Sequence, residues 1–119
     1  MSEWLVDQID PQPARTVLEL TAGPGETGFL AASRLGSGGR LISSDFVPAM
    51  VVAAQRGATQ RGLDNVECRI LDAQQIDLPD SSVDGVLSRF GLMLVPDQEQ
   101  AMREIRRVLR AGGRCAYAT

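Results

Sequence analysis

Short strand-like segments alternate with helical ones along most of the chain, and this order restricts the fold more than any other feature. Five segments have the β-branched or alternating apolar pattern of strands, namely residues 16–20, 40–44, 66–70, 83–87 and 114–118. Helical spacing lies between them at residues 29–35, 47–61 and 98–109. Such units form right-handed crossovers, which give a parallel sheet covered by helices on both faces. The sequence therefore predicts a doubly wound, mostly parallel α/β fold.

The length and composition indicate one domain. At 119 residues, with 44% hydrophobic and 23% charged residues, the chain fits a single core over residues 1–119, preceded by a lead-in at 1–15. Residues 66–70 alternate apolar and charged side chains, which predicts an edge strand. No apolar run approaches the ~18 residues that span a bilayer, and the N-terminus does not read as a secretion signal. We expect a soluble, cytoplasmic protein.

The charged and sulfur-containing residues exclude several classes of function. The chain has no histidine, which rules out His-based catalytic triads and His-containing zinc sites. The net charge of −3 gives no overall field for attracting nucleic acid. Cys68 and Cys115 lack CxxC spacing and are each flanked by strand-like residues, so we predict buried thiols rather than a disulfide. Four arginines form a basic stripe that we interpret as a solvated helix face, at positions 103, 106, 107 and 110.

A glycine loop runs from Glu19 to Gly28, directly after the first predicted strand. Gly23, Gly25 and Gly28 have GxGxxG spacing, which suits a backbone that a cofactor must approach closely. In open α/β sheets, ligands bind beyond the carboxyl ends of the strands, where this loop lies. The same glycines are also compatible with a simple turn.

Asp45 ends the second predicted strand, where a carboxylate can accept hydrogen bonds from both hydroxyls of a ribose. Alternatively, it caps the helix that begins near Pro48. Together with the glycine loop, ribose binding is the better interpretation. Both features are shared with NAD-binding Rossmann domains, so other residues must separate the two cofactors.

Four ordered blocks resemble the class I S-adenosylmethionine (SAM)-dependent methyltransferases, in particular the small-molecule branch of ubiquinone and menaquinone biosynthesis. The blocks cover about residues 16 to 119 and read VLELTAGPGETG, LISSDFVPAMVVAA, LDAQQIDLPDSSVDGVLSRFGLMLVPD and REIRRVLRAGGRCAYAT. The third block is not typical of NAD-binding domains. The resemblance implies a Rossmann-like sheet of order 3-2-1-4-5, SAM as cofactor with S-adenosylhomocysteine as product, and a small-molecule methyl acceptor.

The resemblance also implies roles for individual residues. Asp45 is the ribose acid, Phe46 stacks near adenine, Asp72 accepts from the adenine amino group and Ala73 offers its backbone. The full predicted cofactor site comprises Glu19, Thr21, Ala22, Gly23, Gly25, Asp45, Phe46, Met50, Asp72, Ala73 and Ser88. Met50 either pads the adenosine or belongs to the core, where methionines at helical spacing are more common.

The acceptor side is less defined. Ser88 and Arg89 follow the fourth predicted strand, and Arg89 either orients an anionic acceptor or lies at the surface. An apolar run lines a lipophilic pocket, or belongs to the core or a partner interface; it comprises Phe90, Leu92, Met93 and Leu94. No residue stands out as a general base or other catalytic group.

Three departures from the family pattern matter. Thr21 replaces the first motif glycine, and threonine disfavours positive φ, so we expect an ordinary or slightly strained backbone there. Ala111 replaces a proline. The family's sheet continues past strand five into a helix and an antiparallel hairpin, and these are absent from this sequence. A SAM-binding fragment without activity, an NAD-type domain and an interaction module stay open, as does a homodimer through an exposed strand five.

Overall fold

The computed structural model describes residues 2–89, 91 and 95–118. These residues form four helices and five strands, in the order α1 (Ser2–Ile9), β1 (Thr16–Glu19), α2 (Glu26–Leu35), β2 (Arg40–Asp45), α3 (Pro48–Gln60), β3 (Val66–Ile70), β4 (Val83–Arg89), α4 (Gln98–Val108) and β5 (Leu109–Ala118). Along this part of the chain no helix has the length and apolar character needed to cross a membrane.

All strand pairs of the sheet are parallel, and the strand order is β3-β2-β1-β4-β5. Leu18 at the centre of β1 stands opposite Ile42 on one side and Val86 on the other. The order reverses beside β1, which opens a crevice at the carboxyl ends of β1, β2 and β4. The predicted doubly wound fold and strand order are confirmed.

Each face of the sheet carries its own apolar cluster. Because side chains alternate along a strand, Val17, Leu41 and Leu87 face α1, α2 and α3. Leu18, Ile42 and Val86 face α4 and the chain between β3 and β4. β3 is an edge strand with half-buried side chains, as predicted, and β5 forms the opposite edge.

One predicted boundary near the N-terminus is wrong, and the lead-in contains a helix that the sequence analysis did not assign. The lead-in forms helix α1, whose Leu5, Val6 and Ile9 are buried against the sheet before the two prolines end the segment. The helix predicted at 29–35 begins at Glu26 instead, because the left-handed Gly25 turns the chain and its carbonyl accepts from the N–H of Phe29. Gly28 therefore lies in the first helical turn rather than in the loop.

The last two strands are longer than predicted. β4 continues through Ser88 and Arg89, which pair with Tyr117 and Ala118, so both residues lie in the strand and not after it. β5 begins at Leu109, opposite Val83, and then bulges before Arg114 resumes pairing at Gly85. The bulge contains the predicted glycine turn, with Gly112 at φ 82°. Cys68 and Cys115 are free and half-buried, less enclosed than predicted.

Candidate functional site

A cavity of about 550 Å³ lies at the crevice beyond the carboxyl ends of β1, β2 and β4. A smaller cavity of about 230 Å³ adjoins it, and Thr21, Gly23 and Arg89 line both. Two of the segments that line these cavities are the β1–α2 loop (residues 20–25) and the β3–β4 segment (residues 71–82). The larger cavity contains predicted site residues Thr21, Gly23, Asp45, Phe46, Met50, Asp72 and Ala73, and the smaller one contains Glu19, Thr21, Ala22 and Gly23.

Asp45 joins the end of β2 to the β1–α2 loop. Its Oδ2 accepts from the N–H of Gly23 at 2.8 Å, and its Oδ1 accepts from the N–H of Val47 at 2.9 Å. Val47 is the residue that precedes α3, so Asp45 is not the helix cap that the alternative interpretation required. The two N–H groups fix the carboxylate at the cavity wall, and each oxygen retains a lone pair for a further donor.

The glycines of the loop are required for different reasons. Gly23 has φ 57° with open space around its Cα, so backbone conformation favours glycine there. Gly25 has φ 92°, and a Cβ would also meet the Phe29 ring at 2.8 Å. Gly25 lines neither cavity; it shapes the loop from behind.

Glu19 is buried, with 1% of its surface exposed, and its Oε1 has no hydrogen-bond partner among the described residues. Gly28 makes room for it, because a Cβ at that position would lie 2.3 Å from this oxygen. Burial raises the pKa of Glu19 to about 8; the charge of Asp45 adds to the shift, while the Gly28 N–H and Arg89 oppose it. The smaller cavity thus ends on a carboxyl group that holds its proton at neutral pH.

Thr21 has a left-handed backbone, with φ 51°. For a β-branched residue this conformation costs about 1–3 kcal/mol, so of the two alternatives expected from the sequence, an ordinary or a strained backbone, the strained one is present. Its Oγ1 donates to the Leu20 carbonyl at 2.6 Å and lies 2.8 Å from Ser88 Oγ. A Cβ on Gly91 would lie 1.7 Å from the same oxygen. The Thr21 side chain therefore connects the β1–α2 loop to the end of β4.

Ser88 is buried and lines neither cavity, so it reaches the site through Thr21. Arg89 lines both cavities, and its Nη1 donates to Ser2 Oγ at 3.2 Å. The sequence left two interpretations of Arg89, a residue that orients an acceptor and a surface residue. Its side chain is exposed and also lines the site, so the structure is compatible with both. The apolar run that was predicted to line a substrate pocket (Phe90, Leu92, Met93 and Leu94) lies outside the described residues.

Asp72 and Ala73 lie where β3 leads into the β3–β4 segment. Asp72 Oδ1 accepts from the backbone N–H of Gln74 at 2.8 Å, which holds the carboxylate at the cavity wall. Ala73 is buried in the apolar cluster below the site. Across the cavity, Phe46 is 67% exposed and Met50 is 40% exposed. The core alternative for Met50 is therefore wrong.

Some lining residues were missed in the sequence. Glu26, Gln74, Gly91 and Pro96 contribute to the two cavities. Glu26 carried a usable signal, since an acid in the first turn after a glycine loop faces the loop's ligand side. Gly91 carried none, because its need for glycine arises from Thr21, seventy positions earlier.

A model of the methyltransferase domain matches residues 11–119. The chain belongs to the methyltransferase domain family. This confirms the resemblance stated from the four sequence blocks, and the crevice described above is the carboxyl edge of a methyltransferase domain.

Individual relatives agree with this assignment. The aklanonic acid methyltransferase DauC of Streptomyces sp. (strain C5) is 33% identical over the whole of this methyltransferase domain and 54% of that protein. The ubiquinone/menaquinone biosynthesis C-methyltransferase UbiE of Acidiphilium cryptum (strain JF-5) is 37% identical over 112 residues, which are 92% of this chain and 43% of UbiE. The chain spans about half the length of these curated relatives.

A solved structure shows the same fold. The SAM-dependent methyltransferase of Aquifex aeolicus superposes with a TM-score of 0.84 at 25% identity, covering 92% of this chain and 58% of that one. The methyltransferase domain described here is thus similar in sequence and in backbone to proteins of that class.

Proposed function

We propose that residues 1–119 form one domain that binds SAM at the carboxyl edge of the sheet and takes part in methyl transfer to a small-molecule acceptor. One observation carries the proposal. Two fixed carboxylates, Asp45 and Asp72, line the same 550 Å³ cavity, and an orphaned buried carboxyl, Glu19, ends the cavity that adjoins it. Carboxyl groups distributed over two adjoining cavities suit a ligand in which a nucleoside is joined to a cationic chain, because they accept hydrogen bonds from both parts.

The larger cavity fits the adenosine portion. Asp45 keeps a free lone pair on each oxygen, which suits the two ribose hydroxyls. Asp72 is held by Gln74 so that its carboxylate can accept from an adenine amino group. Phe46 and Met50 offer exposed apolar surface on which a purine ring can pack.

The smaller cavity fits the methionine portion. Glu19 lines it with a carboxyl group whose Oε1 has no hydrogen-bond partner among the described residues, and a cationic group bound here would favour the charged form of that carboxyl. Glu26 adds a second acid at the rim. The β1–α2 loop passes between the two cavities at Gly23, where the absent side chain lets a ligand lie close to the backbone. The residues present therefore fit the cofactor.

SAM supplies a methyl group already activated as a sulfonium, so the protein's part is alignment and exclusion of water. Among the described residues, the titratable groups of the larger cavity are Asp45, Asp72 and Arg89. Backbone N–H groups bind both oxygens of Asp45 and one oxygen of Asp72. This favours an acceptor that reacts without deprotonation by these residues. Arg89, which lines both cavities, is placed to orient an anionic acceptor.

Titration calorimetry with SAM, S-adenosylhomocysteine and NADH tests the cofactor. We expect both sulfur ligands to bind and NADH not to bind, and we expect Asp45→Ala to weaken SAM binding by at least tenfold through two lost hydrogen bonds. Heat from NADH with none from SAM would contradict the proposal and favour an NAD-type domain. Absence of any binding would favour an interaction module.

Methyl-labelled SAM incubated with a quinol acceptor tests transfer, since a relative of this chain is named for ubiquinone and menaquinone biosynthesis. Label in the quinol supports the full proposal. SAM binding without transfer would support the alternative of a cofactor-binding domain that is inactive alone, which the half-length match to relatives also motivates.

The exposed edge at β5 supports a homodimer as a second part of the proposal. A sheet edge presents unpaired backbone groups that can pair with another strand, and Tyr117 adds exposed apolar surface there. Light scattering should give twice the mass of one chain at high concentration. A monomer mass at all concentrations would contradict it.

We also propose a cytoplasmic location. The two cysteines are free thiols and are half-buried, which suits a reducing compartment. Fractionation of cells that make the protein would test this, and recovery from an oxidising compartment would contradict it.

A further inference from the structure

One face of α4 carries three polar residues that point toward the β3–β4 segment. Gln100, Glu104 and Arg107 follow each other at spacings of four and three, so they form a single stripe beside the buried apolar face of the helix. Sequence reasoning treated Arg107 as part of a solvated basic stripe. Its side chain is only 32% exposed and makes hydrogen bonds throughout its guanidinium group.

Arg107 contacts the β3–β4 segment at three points. Its Nη2 donates to the Ile76 carbonyl at 2.7 Å, and its Nη1 donates to the Leu78 carbonyl at 2.9 Å and to Asp80 Oδ1 at 2.8 Å. A planar guanidinium can hold several acceptors at fixed angles, which an ammonium cannot do.

Glu104 completes the contact. Its Oε2 accepts from Arg107 Nε at 2.8 Å, and its Oε1 accepts from the backbone N–H of Ile76 at 2.9 Å. Both backbone groups of Ile76 are thus bound by side chains of α4. The hydrogen bond from Arg107 is the main reason that the pKa of Glu104 is lowered, so the carboxylate is charged at neutral pH.

The N-terminal turn of α4 binds the part of the segment next to Asp72. Gln100 Nε2 donates to the Gln74 carbonyl at 3.1 Å, and the N–H of Asp97 donates to Gln74 Oε1 at 2.9 Å. Gln74 in turn donates its N–H to Asp72 Oδ1 at 2.8 Å. The helix is therefore connected to the Asp72 carboxylate through one residue.

We propose that Gln100, Glu104 and Arg107 are positioning residues that orient Asp72 toward the 6-position of a bound purine. The inference rests on the proposed SAM function. It assigns a role in base recognition to helix α4, although these three side chains line neither cavity. Weakening the stripe should reduce discrimination at the purine 6-position more than it reduces overall ligand affinity.

The test compares S-adenosylhomocysteine with S-inosylhomocysteine, which carries a carbonyl in place of the 6-amino group. Calorimetry should show that the unaltered protein prefers the adenosyl ligand by about tenfold, the value of one hydrogen bond to a charged group. In Arg107→Lys and in Gln100→Ala that preference should fall to about twofold. Arg106→Lys is the matched control, because Arg106 lies on the exposed face of the same helix and should leave the preference unchanged.

Each outcome is decisive. A purely structural role would lower thermal stability and both affinities together, so an unchanged preference in the folded variants would overturn the inference while leaving SAM binding intact. No preference in the unaltered protein would overturn it as well, because Asp72 would then not read the amino group. Failure of both ligands to bind would overturn the proposed function together with this inference. If Arg107→Lys does not fold, Gln100→Ala still decides the question.

Discussion

The β1–α2 loop and the β3–β4 segment face each other across the same cavity, but they are held by different means. The loop has hydrogen bonds to Asp45 and Ser88, but it also depends on close steric fit: Gly28 leaves room for Glu19, the Thr21 side chain leaves no room for a Cβ on Gly91, and the backbone is left-handed at several positions. The β3–β4 segment is held by hydrogen bonds from α4. Steric fit depends on single atoms, whereas a hydrogen-bond network shares its stability among several groups. The two walls should therefore respond differently to mutation.

The largest effect expected on the loop side is a loss of stability at high pH that is caused by the buried Glu19. Its folded pKa, about 8, is raised above the value of 4.5 that an exposed glutamate has. The unfolded chain loses this proton first, so the group destabilises the ligand-free protein progressively as pH rises through this interval. Between pH 5 and pH 9 the free energy of unfolding should fall by roughly 4 kcal/mol.

Urea unfolding of Glu19→Gln across this range measures that loss, because the neutral amide removes the titration. The difference between the two stability curves should grow with pH and level off above pH 8. Glu26→Gln, altered at the exposed rim of the same cavity, is the control and should show no such difference. A flat difference curve for Glu19→Gln would mean that the carboxylate is charged and bound in the ligand-free protein.

The next effect tests steric fit directly. Gly28→Ala places a Cβ 2.3 Å from Glu19 Oε1 and 3.0 Å from a Leu41 methyl group, so we expect a loss of about 3 kcal/mol in unfolding free energy. Gly38→Ala is the matched change, since its Cβ meets only ordinary contacts at 3.6 Å and should cost less than about 0.5 kcal/mol. Equal costs for the two variants would show that the loop side tolerates added volume.

A double-mutant cycle on Thr21 and Gly91 tests the contact between the loop and the chain that follows β4. Gly91→Ala alone should cost about 2 kcal/mol, because the new methyl group overlaps the Thr21 side chain. In the Thr21→Gly background the overlap disappears, so the same change should be nearly neutral, a coupling of about 2 kcal/mol. Additive effects in the cycle would contradict the contact.

The smallest effect belongs to the hydrogen-bonded wall. Asp97 caps α4 by accepting from the N–H of Gln100 at 3.0 Å, so Asp97→Ala should cost about 1 kcal/mol, or ~5 °C in melting temperature. Asp97→Asn retains a hydrogen-bond acceptor and should therefore keep most of the stability that Asp97→Ala loses. A loss as large as that of Gly28→Ala would remove the distinction between the two walls.

The same distinction explains what sequence could predict. The β1–α2 loop and Asp45 follow local rules of glycine conformation and strand ends, so spacing was enough to predict that they meet at the carboxyl edge of the sheet; their role in binding a cofactor stays a prediction. The strand order also followed, because parallel crossovers and the family resemblance restrict it. Strain at Thr21 was one of two alternatives that the sequence left open, and its contact with Gly91 was not predicted, since contacts between distant segments leave no local pattern.

Longer-range features were outside the reach of sequence patterns. Helix α1 is only eight residues long, and its stability comes from burying Leu5 and Val6 against the sheet rather than from local propensity. Arg107 looked like one of four equivalent arginines, because nothing nearby in the sequence reveals that Ile76 and Leu78 present their carbonyls to it. The start of α2 was missed because the GxGxxG pattern suggests a loop through Gly28.

A crystal structure with S-adenosylhomocysteine tests the central claim most directly. The account predicts the ribose hydroxyls within hydrogen-bond distance of both Asp45 oxygens, the purine between Phe46 and Asp72, and the amino end of the ligand in the smaller cavity beside Glu19. A ligand bound at another surface, or bound here with the purine against Glu19 and the amino end beside Asp72, would contradict it.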